Sequence, residues 1–453
     1  MKIGFAVGDV TPELGIYLTG YGLPERLAAS VHSPLFATAM VLSEGAAEAA
    51  VLGVDWCFAG TDVADRIRTG VAEATGIPRE HLQLCCSHTH SAPQTATSRT
   101  KGRTDIDPEG KGVAYALAAI PIFADAVRRA REAACEAEYS AAVVRSETGV
   151  SRRGTDENGA VRRFIGDPDQ IYDPNLTAIR FRDRGTGATL GILIHLGCHN
   201  TAMGSGLEIS SDWCGVMRER IRDRYPAPVL FVNGGMGDVG PRSSGFIEAP
   251  DQRGFAAGRC DGERTAREVG LRAAADALRA LETARDFRPL RGLRIAVGEV
   301  RLPQAISRSE AEAREMLVRY APGSELKLAE VYRQVAESAL QAWSEPPQPE
   351  FVWEQNVIAF GPVALAPFPF EVFSVFSLRL RKYGPFPYTL LVSDANGYRG
   401  YLPDRGAIAL GGYEVTWRER GDPYVLADEA GDLAVSATLA RLREMAAKAP
   451  AAE

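Results

Sequence analysis

Short apolar runs alternate with amphipathic segments along much of this chain, and that alternation confines it to a sheet with helices laid over it. Residues 37–42 and 49–54 read as consecutive strands across a turn. Thr61–Thr75 follows as a helix, with Val63, Ile67 and Val71 at a spacing of four and Gly76 as its stop. Leu82–Cys86 is the next strand, and the spacing predicts a helix over 113–137. Residues 187–199 form a buried strand, Ser211 or Asp212 can cap a helix running to about Arg224, and residues 228–233 are a strand that empties into a glycine-rich turn. Glu263–Thr283 reads as a covering helix, 290–302 as strands, 309–343 as helix, 346–349 as a rigid proline connector and Ala430–Ala447 as the last helix. The expected fold class is mixed α/β, a layered sheet covered by helices.

Bulk composition removes several function classes. At 453 residues, 45% hydrophobic and 24% charged, the chain can bury a sizeable core and has no signature of disorder. A formal charge of −7 offers no basic footprint, so nucleic acid is not the expected partner. Seven cysteines, odd in number and without CxxC spacing, make a disulfide framework unexpected. The first residues lack a secretory pattern and no apolar run reaches membrane-spanning length. Cytoplasmic location without stable membrane association follows as the expectation, and a homo-oligomer is compatible with it. The charged loop 98–112 reads either as a substrate lid or as an ordinary surface loop.

Histidine usage carries the chemistry. Of six histidines, His88 and His90 follow the strand Leu82–Cys86 in the run Ser87-His88-Thr89-His90-Ser91-Ala92-Pro93, while His195 and His199 close another apolar run. Paired imidazoles at strand ends suggest a metal, since neutral imidazole is a common zinc ligand and sheets of this kind place ligands there. The alternative is that each histidine is a satisfied polar residue at a strand end. Asp55 and Asp212 read either as carboxylates supporting such a site or as a turn residue and a helix cap. His195 reads as structural, and His32 as a candidate for the cleft wall.

The SHTHSAP block, the His199-Asn200-Thr201-Ala202-Met203 block and the Asn233-Gly234-Gly235-Met236-Gly237-Asp238-Val239-Gly240-Pro241 turn occur in one order. Together with the N-terminal segment they resemble the catalytic domain of the neutral, non-lysosomal ceramidases, zinc-dependent amidohydrolases. The resemblance implies one catalytic domain over 1–453, with two sub-lobes meeting near 284–350. It further implies a zinc ion (Zn2+) held by His88, His199, Glu371 and Tyr413, with Glu371 opening a helix after the strand-like run 363–368. His90 is then implied beside the reacting carbonyl, for oxyanion stabilisation or proton transfer, with an outer hydrogen-bonding role as the alternative. Arg152 resembles the family's active-site arginine, the competing reading being a solvated side chain.

Two positions depart from the family pattern. Gly240 stands where the ceramidases carry a serine, and a glycine can be neither nucleophile nor hydroxyl donor, so attack would fall to zinc-bound hydroxide. Asn200 replaces the proline after His199. With no sandwich-like C-terminal domain expected, these departures favour a small soluble amide over a lipid. Zinc-dependent hydrolysis of a carbon–nitrogen amide bond is the leading expectation, with an esterase or lactonase on the same site, or a non-catalytic ligand-binding protein, as alternatives.

Overall fold

The computed structural model describes residues 1–21, 26–96, 107–161, 166–243, 262–323, 329–345, 350–418 and 424–448. Residues 98–106 of the candidate lid, the connector 346–349 and Cys260 lie outside them. Among the described residues, two sheets dominate. In the larger, the strands lie in the order Val229–Asn233, Thr189–Leu196, Asn175–Asp183, Cys135–Arg145, Lys2–Asp9, Phe36–Glu44, Ala47–Val54 and Leu82–Cys86, with Arg288–Pro289 added at Cys135–Arg145. The smaller sheet runs Tyr388–Val392, Val363–Pro367, Glu350–Phe360, Arg294–Ile306 and Tyr424–Leu426.

Alternation along the strands stacks these sheets face to face. Ile3, Phe5, Met40, Leu42, Ile179, Phe181 and Leu193 from the large sheet share one core with Ile358, Phe360, Leu365 and Leu390 from the small one. The intervening residues of the same strands point the other way, as a period of two requires. Ala39, Val41 and Leu52 meet the helices Thr61–Thr75 and Ile120–Glu132, and Ile192, Ile194 and Phe231 meet Asp212–Arg224 and Glu263–Thr283. Val357, Ala359, Ala364 and Ala366 meet Ser374–Tyr383 and Ala430–Ala447. The layers are therefore helix, sheet, sheet, helix, as the sequence class anticipates. The second sheet is more extensive than the strands expected at 290–302.

Three helical expectations are corrected. The helix expected over 113–137 is instead two helices, Lys111–Ala118 and Ile120–Glu132, followed by the strand Cys135–Arg145. Pro121 falls in the first turn of the second helix, a position that suits its missing N–H and fixed φ but not the middle of a longer helix. The helix expected over 309–343 is interrupted, giving Glu310–Arg319 with a Ser309–Glu312 capping box and then Ala329–Ser344. Pro322 and Gly323, the latter at φ 86°, lie in the break. Glu371 does not open a helix. It lies in the short strand Glu371–Val372, paired with Tyr401–Leu402, and the helix begins at Ser374.

The parallel pairings position the site. Ala47–Val54 runs parallel to Leu82–Cys86, Thr189–Leu196 to Val229–Asn233, and Val363–Pro367 to Tyr388–Val392. His88, His199 and Glu371 each follow the C-terminal end of one of these strands, so two stacked sheets deliver their carboxyl ends to one place.

Candidate metal centre

The strand Leu82–Cys86 does not continue into the histidine run. His88 has φ 70°, a left-handed turn that brings both imidazoles into one cleft, with His88 Nε2 and His90 Nε2 3.1 Å apart. Thr89 pairs in parallel with Asn200, and the His90 amide donates to the Asn200 carbonyl at 3.3 Å. Asn233 ties the two histidine segments together: its Nδ2 donates to the carbonyls of Ser87 and Cys198, and its Oδ1 accepts from the Cys198 amide. Asn200 is likewise fully buried, donating to Ser211 O and accepting from the Cys214 amide, so the asparagine in place of proline anchors the loop.

His88, His199 and Glu371 bring one ligand atom each within 4.8 Å of one another, all three side chains being buried. Glu371 Oε2 lies 3.0 Å from His199 Nε2 and 3.7 Å from His88 Nε2. Both Nδ1 atoms are engaged elsewhere. His88 Nδ1 donates to Asp394 Oδ2 at 2.7 Å, and His199 Nδ1 lies 2.8 Å from Met236 O and 3.0 Å from Val239 O. Both Nδ1 atoms thus donate outward, and each ring turns its Nε2 toward the same carboxylate oxygen. Two imidazoles and a carboxylate so arranged fit a divalent cation such as zinc.

Tyr398 donates to Glu371 Oε1 at 2.6 Å and stacks on Phe58 with centroids 4.0 Å apart. Burial, followed by the Glu371 charge, raises the Tyr398 phenol well above its ordinary range and keeps it a donor. Burial pushes His199 down to about 3, with Arg152 and His88 adding to the shift. Burial, followed by the neighbouring His88, His199, Arg26 and Arg152, likewise holds His90 well below the usual imidazole range. His90 is therefore a neutral ring near pH 7. Arg26 donates to its carbonyl, and Gly20, at φ 101°, leaves space that a Cβ would take from the ring.

Arg152 is buried, which overturns the solvated reading. Its Nε donates to Glu414 Oε1 at 2.9 Å and its Nη2 to Gly237 O and Tyr401 Oη. Arg153 shares Glu414 through the other carboxylate oxygen. Tyr413 starts the helix Tyr413–Arg418 and meets Tyr401 edge-on at 6.1 Å, which links it to the cluster through Arg152. Gly240 lies in the short strand Val239–Pro241 opposite Val150.

Other candidates have structural roles. Asp55 forms a buried two-pronged ion pair with Arg218 and accepts from the Phe36 amide, so it does not support the centre. Asp212 accepts from the amides of Ala202, Met203 and Trp213, shaping the loop after His199. His195 Nε2 lies 2.7 Å from Leu391 O and ties the large sheet to the small one, whereas His32 is exposed. Asp394, Tyr398, Asn233 and Arg26 were not legible as site residues. Asp394 and Tyr398 lie in a run, Ser393-Asp394-Ala395-Asn396-Gly397-Tyr398, whose only local signal is that of a turn.

The described residues thus form a stacked α/β fold that gathers two histidines and a glutamate at its strand ends, a group that could hold a metal ion. No protein-family model and no curated protein matches the sequence. Among solved structures, neutral ceramidase from Pseudomonas aeruginosa superposes with a TM-score of 0.74 at 17% identity, covering 100% of this chain and 75% of that one. A ceramidase complexed with C2 gives a TM-score of 0.72 at 16% identity, with 100% and 76% coverage. The chain has the neutral-ceramidase fold.

Proposed function

We propose that this protein is a zinc-dependent hydrolase of a carbon–nitrogen amide bond in a small soluble substrate. The observation that carries the reading is the convergence of His88 Nε2, His199 Nε2 and Glu371 Oε2, with both Nδ1 atoms already committed as donors. Tyr413 is the fourth donor of the set. Zinc, when bound, polarises the scissile carbonyl and supplies a water of lowered pKa.

The remaining work belongs to side chains of this chain. His90 is neutral and lies beside His88, and its buried Nδ1 has no hydrogen-bond partner among the described residues. Its Nε2, 3.1 Å from His88 Nε2, faces the side of the ring that the ligands share, which suits a group that stabilises the oxyanion or carries a proton to the leaving nitrogen. Arg152, held rigidly by Glu414, Gly237 and Tyr401, supplies positive potential for the oxyanion or for a substrate carboxylate. Gly240 offers no side chain, so covalent catalysis at that position is absent from the scheme. Unpaired Cys57, Cys85, Cys86, Cys135, Cys198 and Cys214 support a reducing, cytoplasmic setting.

Zinc-loaded protein assayed against small N-acyl amides, matched esters and lactones tests the reading. Amide turnover with a His90→Ala loss of about 100-fold or more is expected for a general acid–base group. Turnover of esters or lactones alone assigns the alternative chemistry. Tight binding without turnover of any of the three overturns the hydrolase.

A further inference from the structure

The loop that follows Tyr388–Val392 touches two of the three ligand side chains from outside. Asp394 Oδ2 accepts from His88 Nδ1 at 2.7 Å, and four residues later Tyr398 Oη donates to Glu371 Oε1 at 2.6 Å. His88 and Glu371 come from different sheets, so this one loop spans the junction between them.

Its shape is costly and well anchored. Asp394 and Asn396 have φ 47° and 60°, and Gly397 and Gly400 have φ 151° and 87°. Asn396 Oδ1 accepts from the Leu84 amide, and its own amide donates to Leu84 O, locking the loop to the strand that leads to His88. On the other side the Asp394 and Ala395 amides donate to Phe370 O and Phe368 O, locking it to the segment that leads to Glu371. Left-handed non-glycine residues persist only where neighbours over-determine them.

We propose that Asp394 and Tyr398 are positioning residues that set the coordination of the metal centre, Asp394 by fixing the tautomer of His88 and Tyr398 by confining Glu371 to one ligating oxygen. The inference rests on the metal-centre reading above. A carboxylate on the outer nitrogen of a histidine ligand holds the ring and raises its basicity. For Glu371 the logic is geometric. Oε1 is occupied by the phenol proton, whereas Oε2 faces His199 Nε2 and His88 Nε2, so the carboxylate presents a single oxygen to a cation. Removing the hydroxyl frees Oε1 to become a second ligand atom.

The two substitutions separate position from folding. Asp394→Asn keeps the shape and the tolerance for a left-handed backbone while removing the charge. Tyr398→Phe keeps the ring that stacks on Phe58 and removes only the donor. Full-length wild type and both variants are stripped, titrated with zinc, and separately loaded with cobalt(II) for visible absorption spectra. A 10- to 100-fold loss of zinc affinity is expected for Asp394→Asn, as for loss of other such outer partners, on the order of 1.4 to 2.7 kcal/mol. Tyr398→Phe is expected to shift the cobalt(II) d–d bands and lower their intensity as the coordination number rises, with circular dichroism unchanged. Wild-type affinity in Asp394→Asn together with an unaltered cobalt spectrum in Tyr398→Phe overturns the inference alone. Failure of the wild type to bind either metal overturns the metal-centre reading instead.

Discussion

At the scale of single residues, the centre depends on atoms that are kept out of the way as much as on those that face inward. Gly20 is the clearest case. At φ 101° it sits against the His90 ring, where a Cβ would overlap Cγ and Nδ1. Gly20→Ala must therefore displace the imidazole while leaving His88, His199 and Glu371 in place. Activity is expected to fall by about 100-fold, the scale of an ångström-sized misplacement of a reacting group. Zinc content is expected to stay at the wild-type level, and a variant with wild-type turnover would remove His90 from the reaction. His88 and His199 were legible because histidine is scarce and both follow apolar runs. Asp394 and Tyr398 were not, because their partners are 306 and 27 residues away and their own neighbourhood reads as a turn.

At the scale of elements, the helices and strands that stand alone were the easiest to read. Thr61–Thr75 has regular apolar spacing and ends on Gly76 in the left-handed conformation, so pattern and cap agree. Only the first three residues of Cys135–Arg145 were read into the preceding helix and the rest was not read as a strand, because just Ala137 and Ser140 of it are buried and it gains strand character by pairing with Asn175–Asp183. Long-range pairing of this kind leaves little local trace. Asp55 teaches the same lesson for charge: a carboxylate at a strand end looked like a site residue, yet it joins that strand end to the helix Asp212–Arg224 through Arg218. Breaking a buried pair by removing one partner costs roughly 3–5 kcal/mol because the other charge is left uncompensated. Asp55→Ala is accordingly expected to lower the thermal midpoint by many degrees, while the folded fraction keeps its zinc. A loss of zinc without a loss of stability would return Asp55 to the site.

At the scale of the whole molecule, two sheets packed face to face bring the carboxyl ends of three parallel strand pairs together, and the candidate centre sits at that junction. The layer class was legible from alternating segments, but the stacking of a second sheet was not, since it depends on the inward faces of strands more than 300 residues apart, such as Met40 and Ile358. The same junction explains why residues distant in sequence share one site: His195 ties to Leu391 across the sheets, and the loop after Val392 reaches both His88 and Glu371. On the proposal above, this junction holds a zinc ion through His88, His199 and Glu371. Elemental analysis of zinc per chain, on zinc-reconstituted wild type and His88→Ala with circular dichroism as the fold control, tests it most directly. Stoichiometric zinc in the wild type and its loss in a folded His88→Ala protein is the result expected. Full zinc retained by His88→Ala, or none in the reconstituted wild type, would contradict the claim.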